Sequence, residues 1–265
     1  MKENKQQFQG SLLGSKRFLP LFVTQFFSAL NDNVYKQSIL LILIFQAATV
    51  ADGAFYSNLA AGLFILPFFL FSGMAGQIAE KLEKSKLISI VKFCEIPIML
   101  VGVVSILTEQ VWLMLGTVFL MGLQSTFFGP LKYSILPQHV APNELTKANG
   151  LVESGTFVAI LLGTVFGTYY ITQAAGPIYI SIAIVSLAVI GFLSSRFIPK
   201  SAANDANLKV SINPITSTKS VFNALKAQTE SVGKSVLGIS WFWLIGAVIL
   251  TALPNYVKHV MGGDE

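Results

Sequence analysis

Seven long apolar runs constrain this chain more than any other feature. A membrane-spanning helix needs about 20 mostly apolar residues. The runs that reach that length are Phe18–Phe45, Phe55–Ala79, Leu87–Leu107, Val111–Leu136, Leu145–Ile171, Pro177–Ile198 and Val236–Val257. The breaks between them are short and rich in turn residues: "ATVADGA", "EKLEKSK", "TEQ", "PQHVAPNE" and "TQAAGP". Only the stretch from Pro199 to Ser235 is long and polar, and it reads as a linker or a surface helix. The expectation is an all-α integral membrane protein.

Composition agrees. Of 265 residues 53% are hydrophobic and 12% charged, about half the charge of a soluble domain. The N-terminus, "MKENKQQFQGSLLGSKRF", has no short apolar core followed by a cleavage site, so it reads as a tail rather than a signal peptide. Cys94 is the single cysteine. It can build neither an intramolecular disulfide nor a cysteine-based metal site.

The net charge of +5 has a topological origin. Lys2, Lys5, Lys16 and Arg17 precede the first run, and Lys81, Lys84 and Lys86 separate the second from the third. Lys132 and Lys147 flank the break after the fourth run. Arg196, Lys200, Lys209, Lys219, Lys226 and Lys234 follow the sixth. The alternate breaks contain no Lys or Arg. By the positive-inside rule the N-terminus and the long linker are cytoplasmic, and the seventh run leaves outward toward Lys258 and His259. No nucleic-acid partner is expected.

Six runs, a basic linker and a seventh run resemble one half of a two-half transporter plus the first helix of the other half. The expected division is a cytoplasmic tail at 1–17, a six-helix bundle at 18–198, a cytoplasmic linker at 199–235 and a seventh helix at 236–265 that begins an incomplete second bundle. "FFSALND" at Phe26–Asp32 and "FFGPLKY" at Phe127–Tyr133 form a faint repeat on the two runs that an inverted repeat would pair.

Charge inside the runs is the chemical signal. An Asp or Lys at mid-bilayer costs roughly 2.5–3.5 kcal/mol on insertion scales. Asp32 and Lys36 nonetheless sit inside the first run, four residues apart and so on one helix face. Asn31 and Asn33 extend the polar patch. Such residues line a substrate path or form a buried structural pair. Glu95 lies in the third run, Gln124 and Lys132 in the fourth and Glu153 in the fifth. Lys132 and Glu153, toward the cytoplasmic ends of adjacent runs, are expected to pair. Gln25 and Gln124 read as interhelical hydrogen-bonding glue, and Gly155, Gly163 and Gly167 as a close-packing stripe. No metal or cofactor motif is present, and no cofactor is expected.

The loop "GQIAEKLEKSK", from Gly76, resembles the cytoplasmic loop motif of the major facilitator superfamily, with Glu83 where that motif usually has Gly. Gly76 is expected to allow close helix approach, and Glu80, Lys81 and Lys84 to hold one conformation. "PLKY", "KANGLVE" and "AILLG" within Phe127–Gly167, together with "NDN" at Asn31–Asn33, resemble the bacterial lysophospholipid transporters of that superfamily. The likeness runs from about Phe18 to Pro199, and "SWFWLIGAVILTALPNYVK" resembles that family's seventh helix. Asn31 and Lys36 depart from the family pattern, which has Gly and an apolar residue there.

The resemblance implies a fold of the major facilitator type. It also implies a flippase-like transporter in the bacterial inner membrane, moving lysophosphatidylethanolamine-type lipid from the outer to the inner leaflet. A cytoplasmic-side acyltransferase, fused or separate, would reacylate it. Asp32 would receive the ammonium and Lys36 or Lys132 the phosphate, with Asn31, Asn33 and Glu153 in the same site. Two other readings stay open: a drug or metabolite exporter on this scaffold, and a non-transporting membrane module that recruits an acyltransferase. His259 and Asp264 have the spacing of a glycerolipid acyltransferase pair but lie on the outer side, so enzymatic activity is not expected.

Overall fold

The computed structural model describes residues 11–45, 49–211 and 213–261. Lys2, Lys5 and Asp264 lie outside the described residues, as do the side chains of Lys258 and His259.

The long helices follow the apolar runs. They are α1 (Leu19–Phe45), α2 (Val50–Lys81), α3 (Lys84–Thr108) and α4 (Val111–Ser134), then the short α5 (Leu136–His139), followed by α6 (Leu145–Ile171) and α7 (Gly176–Ser195). In the polar stretch after α7 the chain forms α8 (Pro214–Lys226), and α9 (Glu230–His259) follows. The two largest differences from the expected boundaries are at the starts of α2 and α9. α2 starts before Phe55 because Thr49 caps it, accepting from the Asp52 amide at 3.1 Å. α9 starts at Glu230, ahead of Val236, where Lys234 pairs with Glu230 at 2.8 Å one turn away.

Among the described residues six helices are long and apolar enough to cross a membrane: α2, α3, α4, α6, α7 and α9. α1 has the length, at 27 residues, but falls outside that set. Its polar residues from Ser28 to Ser38 dilute its apolar content, and its place in the bundle explains how it tolerates them. α1 packs against α6 and α7 and also touches α2 and α4. Thr24, Gln25, Ser28, Asn31, Tyr35 and Ser38 are buried, a polar stripe at helical spacing that faces protein rather than lipid. Outer faces are apolar and open, as at Leu161, Val165, Ile182 and Trp112. That suits a bilayer, where only helices with internally satisfied backbones can span.

Two apolar clusters stack along the bundle. One gathers Phe18, Leu21, Val91, Phe128, Leu131 and Val152. The other gathers Val34, Tyr35, Met99, Met121, Ile180 and Ile184. Between them, α1, α3 and α4 each place polar residues: Ser28–Asp32, Lys92–Glu95 and Gln124–Ser125. This mid-bundle polar layer is the candidate site.

Candidate functional site

Each helical residue advances about 100° around its axis, so Asn31, Asp32 and Asn33 point to three neighbours. Asn31 is fully buried and donates from Nδ2 to Glu95 Oε1 on α3 at 2.8 Å. Asp32 turns to α4, where the Ser125 hydroxyl donates to its Oδ2 at 3.0 Å. Asn33 lies along α6 and donates to Ala29 O within its own helix at 2.7 Å. The single polar patch expected over Asn31–Asn33 is therefore three separate contacts.

Asp32 and Lys36 share a face of α1 but form no ion pair within 4 Å among the described residues. Lys36 Nζ sits 4.1 Å from the centre of the Phe64 ring on α2, a cation–π contact. Asp32 Oδ1 is buried and accepts no hydrogen bond among the described residues. A buried carboxylate oxygen without a donor is costly, and such atoms call for a functional explanation. Asp32 lies within electrostatic reach of Lys36, Glu95, Lys92 and Lys132. Together these give an acceptor that is open to a further donor, with cationic side chains on either side along the bundle.

The expected Lys132–Glu153 pair does not form among the described residues. Glu153 instead accepts from the Tyr133 hydroxyl, and Lys132 lies over the Tyr133 ring at 4.8 Å. Both charged groups engage Tyr133 instead and keep only a through-space interaction with each other.

Beneath Asp32 is a network that the sequence reading did not anticipate. Lys92, wholly buried, pairs with Glu95 one turn along α3 and donates to Ser28 on α1. Gln124 Nε2 donates to Glu95 Oε2 at 3.2 Å, and the Ser125 hydroxyl lies 3.2 Å from Gln124 Oε1. A continuous chain of polar contacts thus runs from Lys92 through Glu95, Gln124 and Ser125 to Asp32. Lys92 has a sequence signal: it stands within Leu87–Leu107, three residues before Glu95. Ser125 has none, because only the packing of α4 on α1 brings it to Asp32.

The expected glue is present. Gln25 donates to Val152 O at 3.1 Å and accepts from Thr156 at 3.0 Å, joining α1 to α6. A Cβ at Gly163 would lie 2.9 Å from Leu30 O, and one at Gly167 would lie 2.8 Å from Val34 O. The α6 stripe therefore sets the α1–α6 distance.

The loop after α2 is built differently from expectation. A Cβ at Gly76 would meet nothing within 4 Å, so this residue brings no helices together. The close approach falls at Gly73, where a Cβ would lie 2.8 Å from the Ser217 backbone on α8. No glycine is needed at position 83. Glu83 caps α3 with extended backbone, accepting from the Ser85 and Lys86 amides at 3.0 and 2.8 Å. It also accepts from Ser201 N at 2.8 Å. Burial raises the Glu83 carboxyl, but the Ser85 hydroxyl, donating at 2.6 Å, and these three amides outweigh it and hold the group below its ordinary 4.5. Lys84 is fully buried and donates to Asn204 Oδ1 at 3.0 Å and to Ala202 O at 3.3 Å. Glu80 accepts from the Asn204 side chain, and its carbonyl accepts from Asn204 N at 2.9 Å. Lys81 is half-buried on the last turn of α2.

The same segment after α7 reaches the α4–α6 corner. Ser201 Oγ and His139 Nε2 are 2.8 Å apart, and Gln138 donates to Asn204 Oδ1 at 2.8 Å. Arg17 makes a bidentate pair with Glu144, both distances 2.7 Å, and reaches His139 O at 3.2 Å. A strap of residues 201–204 and one arginine close this end of the bundle.

The chain matches the family model described as Major Facilitator Superfamily over residues 21–264. Among curated relatives it is similar to the "Lysophospholipid transporter LplT" of Escherichia coli strain SE11, of Escherichia coli O6:K15:H31 strain 536 and of Escherichia coli O7:K1 strain IAI39. Each is 30% identical over 257 residues, 94% of this chain and 60% of the relative. The chain spans about 60% of the length of the curated relatives it matches.

Proposed function

The chain belongs to the major facilitator superfamily, and from that membership we propose that it is the N-terminal part of a lysophospholipid transporter of the bacterial inner membrane. In this reading residues 18–198 form the first bundle, 199–235 the cytoplasmic linker and 236–265 the opening of the second bundle. The N-terminal tail, 1–17, is cytoplasmic, as the lysine distribution favours. The substrate is a lysophosphatidylethanolamine-type lipid carried from the outer to the inner leaflet for reacylation by a cytoplasmic-side acyltransferase. The resemblance in "NDN", "PLKY" and "KANGLVE", together with the name carried by the relatives, supports that substrate.

One observation carries the mechanism: among the described residues Asp32 holds a buried carboxylate oxygen with no donor, within the mid-bundle polar layer. An ammonium supplies that donor and a compensating charge, and a charge-assisted hydrogen bond is about twice as strong as a neutral one. Lys36 and Lys132 stand within reach to meet the phosphate of the same headgroup. Neither lysine is locked to a carboxylate, so each is able to exchange its aromatic contact for an anion. Asn31 holds Glu95, and Asn33 and Glu153 border the site rather than contribute its principal charges. The acyl chain stays among Phe and Leu side chains or in lipid. Glu80, Lys84 and the neighbouring Lys81 hold the cytoplasmic end closed through the 201–204 strap, and opening requires those bonds to break. Gly76 lies in the last turns of α2 without a packing role of its own.

The test uses the complete gene in cells lacking their own lysolipid transporter. Labelled lysophosphatidylethanolamine is supplied outside and its conversion to diacyl lipid is followed inside. Conversion with the wild type that falls at least tenfold in Asp32→Asn, at equal membrane abundance, is the expected result. Absence of conversion in the wild type removes the lysolipid assignment. Equal conversion in both proteins leaves the substrate and returns Asp32 to a structural role.

A further inference from the structure

α8 carries a stripe that neither the polar layer nor the strap uses. Ile215, Lys219, Phe222 and Lys226 recur at intervals of three and four, so they lie along one face of Pro214–Lys226. With Phe69 and Leu70 of α2 they line a cleft of about 440 Å³. Its apolar members are open: Phe69 is 75% exposed, Ile215 79% and Phe222 58%. Neither lysine forms an ion pair among the described residues. From Ala206 to Thr229 the chain has Lys209, Lys219 and Lys226 and no Asp or Glu.

The depth of the cleft identifies its surroundings. The α2 span Ala51–Lys81 has 31 residues, which at 1.5 Å per residue is about 46 Å. The hydrocarbon of a bilayer is about 30 Å thick, so α2 projects about 8 Å beyond it at each end when centred. α8 seats Ser217 against Gly73, eight residues or about 12 Å before Lys81. That is a few ångström inside the boundary between hydrocarbon and headgroups. The position is fixed locally, by Asn213 capping α8 at 3.0 Å and by Gln77 accepting from Ser211 N at 2.8 Å. An amphipathic helix with lysines beside apolar side chains at this depth suits the membrane interface.

We propose that the α2–α8 cleft binds one anionic phospholipid of the cytoplasmic leaflet, its phosphate held by Lys219 and Lys226 and its acyl chain laid along Phe69, Leu70, Ile215 and Phe222. The charge selects the headgroup, since two unpaired lysines with no acidic neighbour in the segment favour a net negative lipid over a zwitterionic one. The open aromatic and aliphatic side chains select a lipid over a soluble phosphate. The site is separate from the Asp32 layer and stands whether or not the transport reading holds. Its occupancy would tie the linker to α2, next to the strap that closes the cytoplasmic end.

The experiment takes the full chain in a bilayer of phosphatidylglycerol and phosphatidylcholine, followed by extraction and native mass spectrometry of retained lipid. Preferential retention of one phosphatidylglycerol is expected, with the preference falling roughly fivefold for each lysine removed in Lys219→Gln and Lys226→Gln. Phe222→Ser is expected to lower retention of both lipids while keeping the headgroup preference. Equal retention of both lipids by wild type and the lysine variants overturns the proposal. So does displacement of the bound lipid by glycerol 3-phosphate at matched concentration, which would make the site one for free phosphate. A protein carrying Cys94→Ser and Phe222→Cys, shielded from a membrane-confined maleimide in lipid-stripped and lipid-loaded samples alike, would show that polypeptide covers the cleft, and would also overturn it.

Discussion

Glu95 shows how much one side chain does in this bundle. It accepts from Asn31 and Gln124 and faces Lys92, so it neutralises a buried cation while joining α1, α3 and α4. Removing one partner of a buried pair strands the other charge, at a cost of roughly 3–5 kcal/mol, whereas replacing both by apolar groups is often neutral. Glu95→Leu is therefore expected to lower the melting temperature of the full chain sharply, and Lys92→Met combined with Glu95→Leu to restore most of it. A single Glu95→Leu variant as stable as wild type would refute the network. Asp32 and Lys36 were legible in the sequence because a charge within an apolar run is conspicuous. Lys92 carries the same signal three residues before Glu95. Adjacency in sequence does not place Asn31 and Asn33 with Asp32, because a helical step of about 100° separates neighbours.

At the scale of the element, small residues decide how α1 and α6 meet. Gly163 and Gly167 face α1 main chain at distances that a Cβ would bring below 3 Å. Both helices must separate to admit one, and overpacking of this kind costs roughly 1–3 kcal/mol. Gly163→Ala is expected to lower thermal stability measurably, whereas Gly76→Ala, within α2 and opening onto free space, is expected to leave it unchanged or raise it slightly. Equal effects would mean that the stripe does not set the spacing. The α6 stripe was readable because glycines at four-residue spacing share a face. The placement of Gly76 was not, since a glycine in a motif carries no record of what lies opposite it.

For the molecule as a whole, the strap at 201–204 converts local bonds into closure of one end. His139 meets Ser201, Glu83 caps both α3 and Ser201, and Arg17 with Glu144 lies beside the His139 carbonyl. Burial pushes the His139 imidazole below its ordinary 6.5, against the pull of backbone acceptors and of Glu83. A depressed histidine is neutral in the folded form, so its contribution is complete above 6.5 and declines as the pH falls below that value. Glu83, also depressed, contributes fully above 4.5 and loses its contribution only in more acid solution. After correction for the intrinsic base-catalysed rate, the protection of residues 201–205 is therefore expected to fall between pH 7 and pH 5.5, and His139→Gln is expected to abolish that fall. Protection that is flat with pH in the wild type would exclude His139 as the sensitive contact.

The sequence by itself determined the helical class, the order of the long helices and the presence of charge at mid-span. These follow from run length, from the spacing of lysines and from the high cost of an isolated charge in hydrocarbon. Tertiary structure alone decided that Asp32 meets Ser125, that Tyr133 rather than Lys132 takes Glu153, and that the segment after α7 folds back over Glu80, Glu83 and Lys84. Each of these pairs residues from different helices or loops, and the partner is selected by which faces pack together. Periodicity within one segment records which face is buried, but not what lies against it.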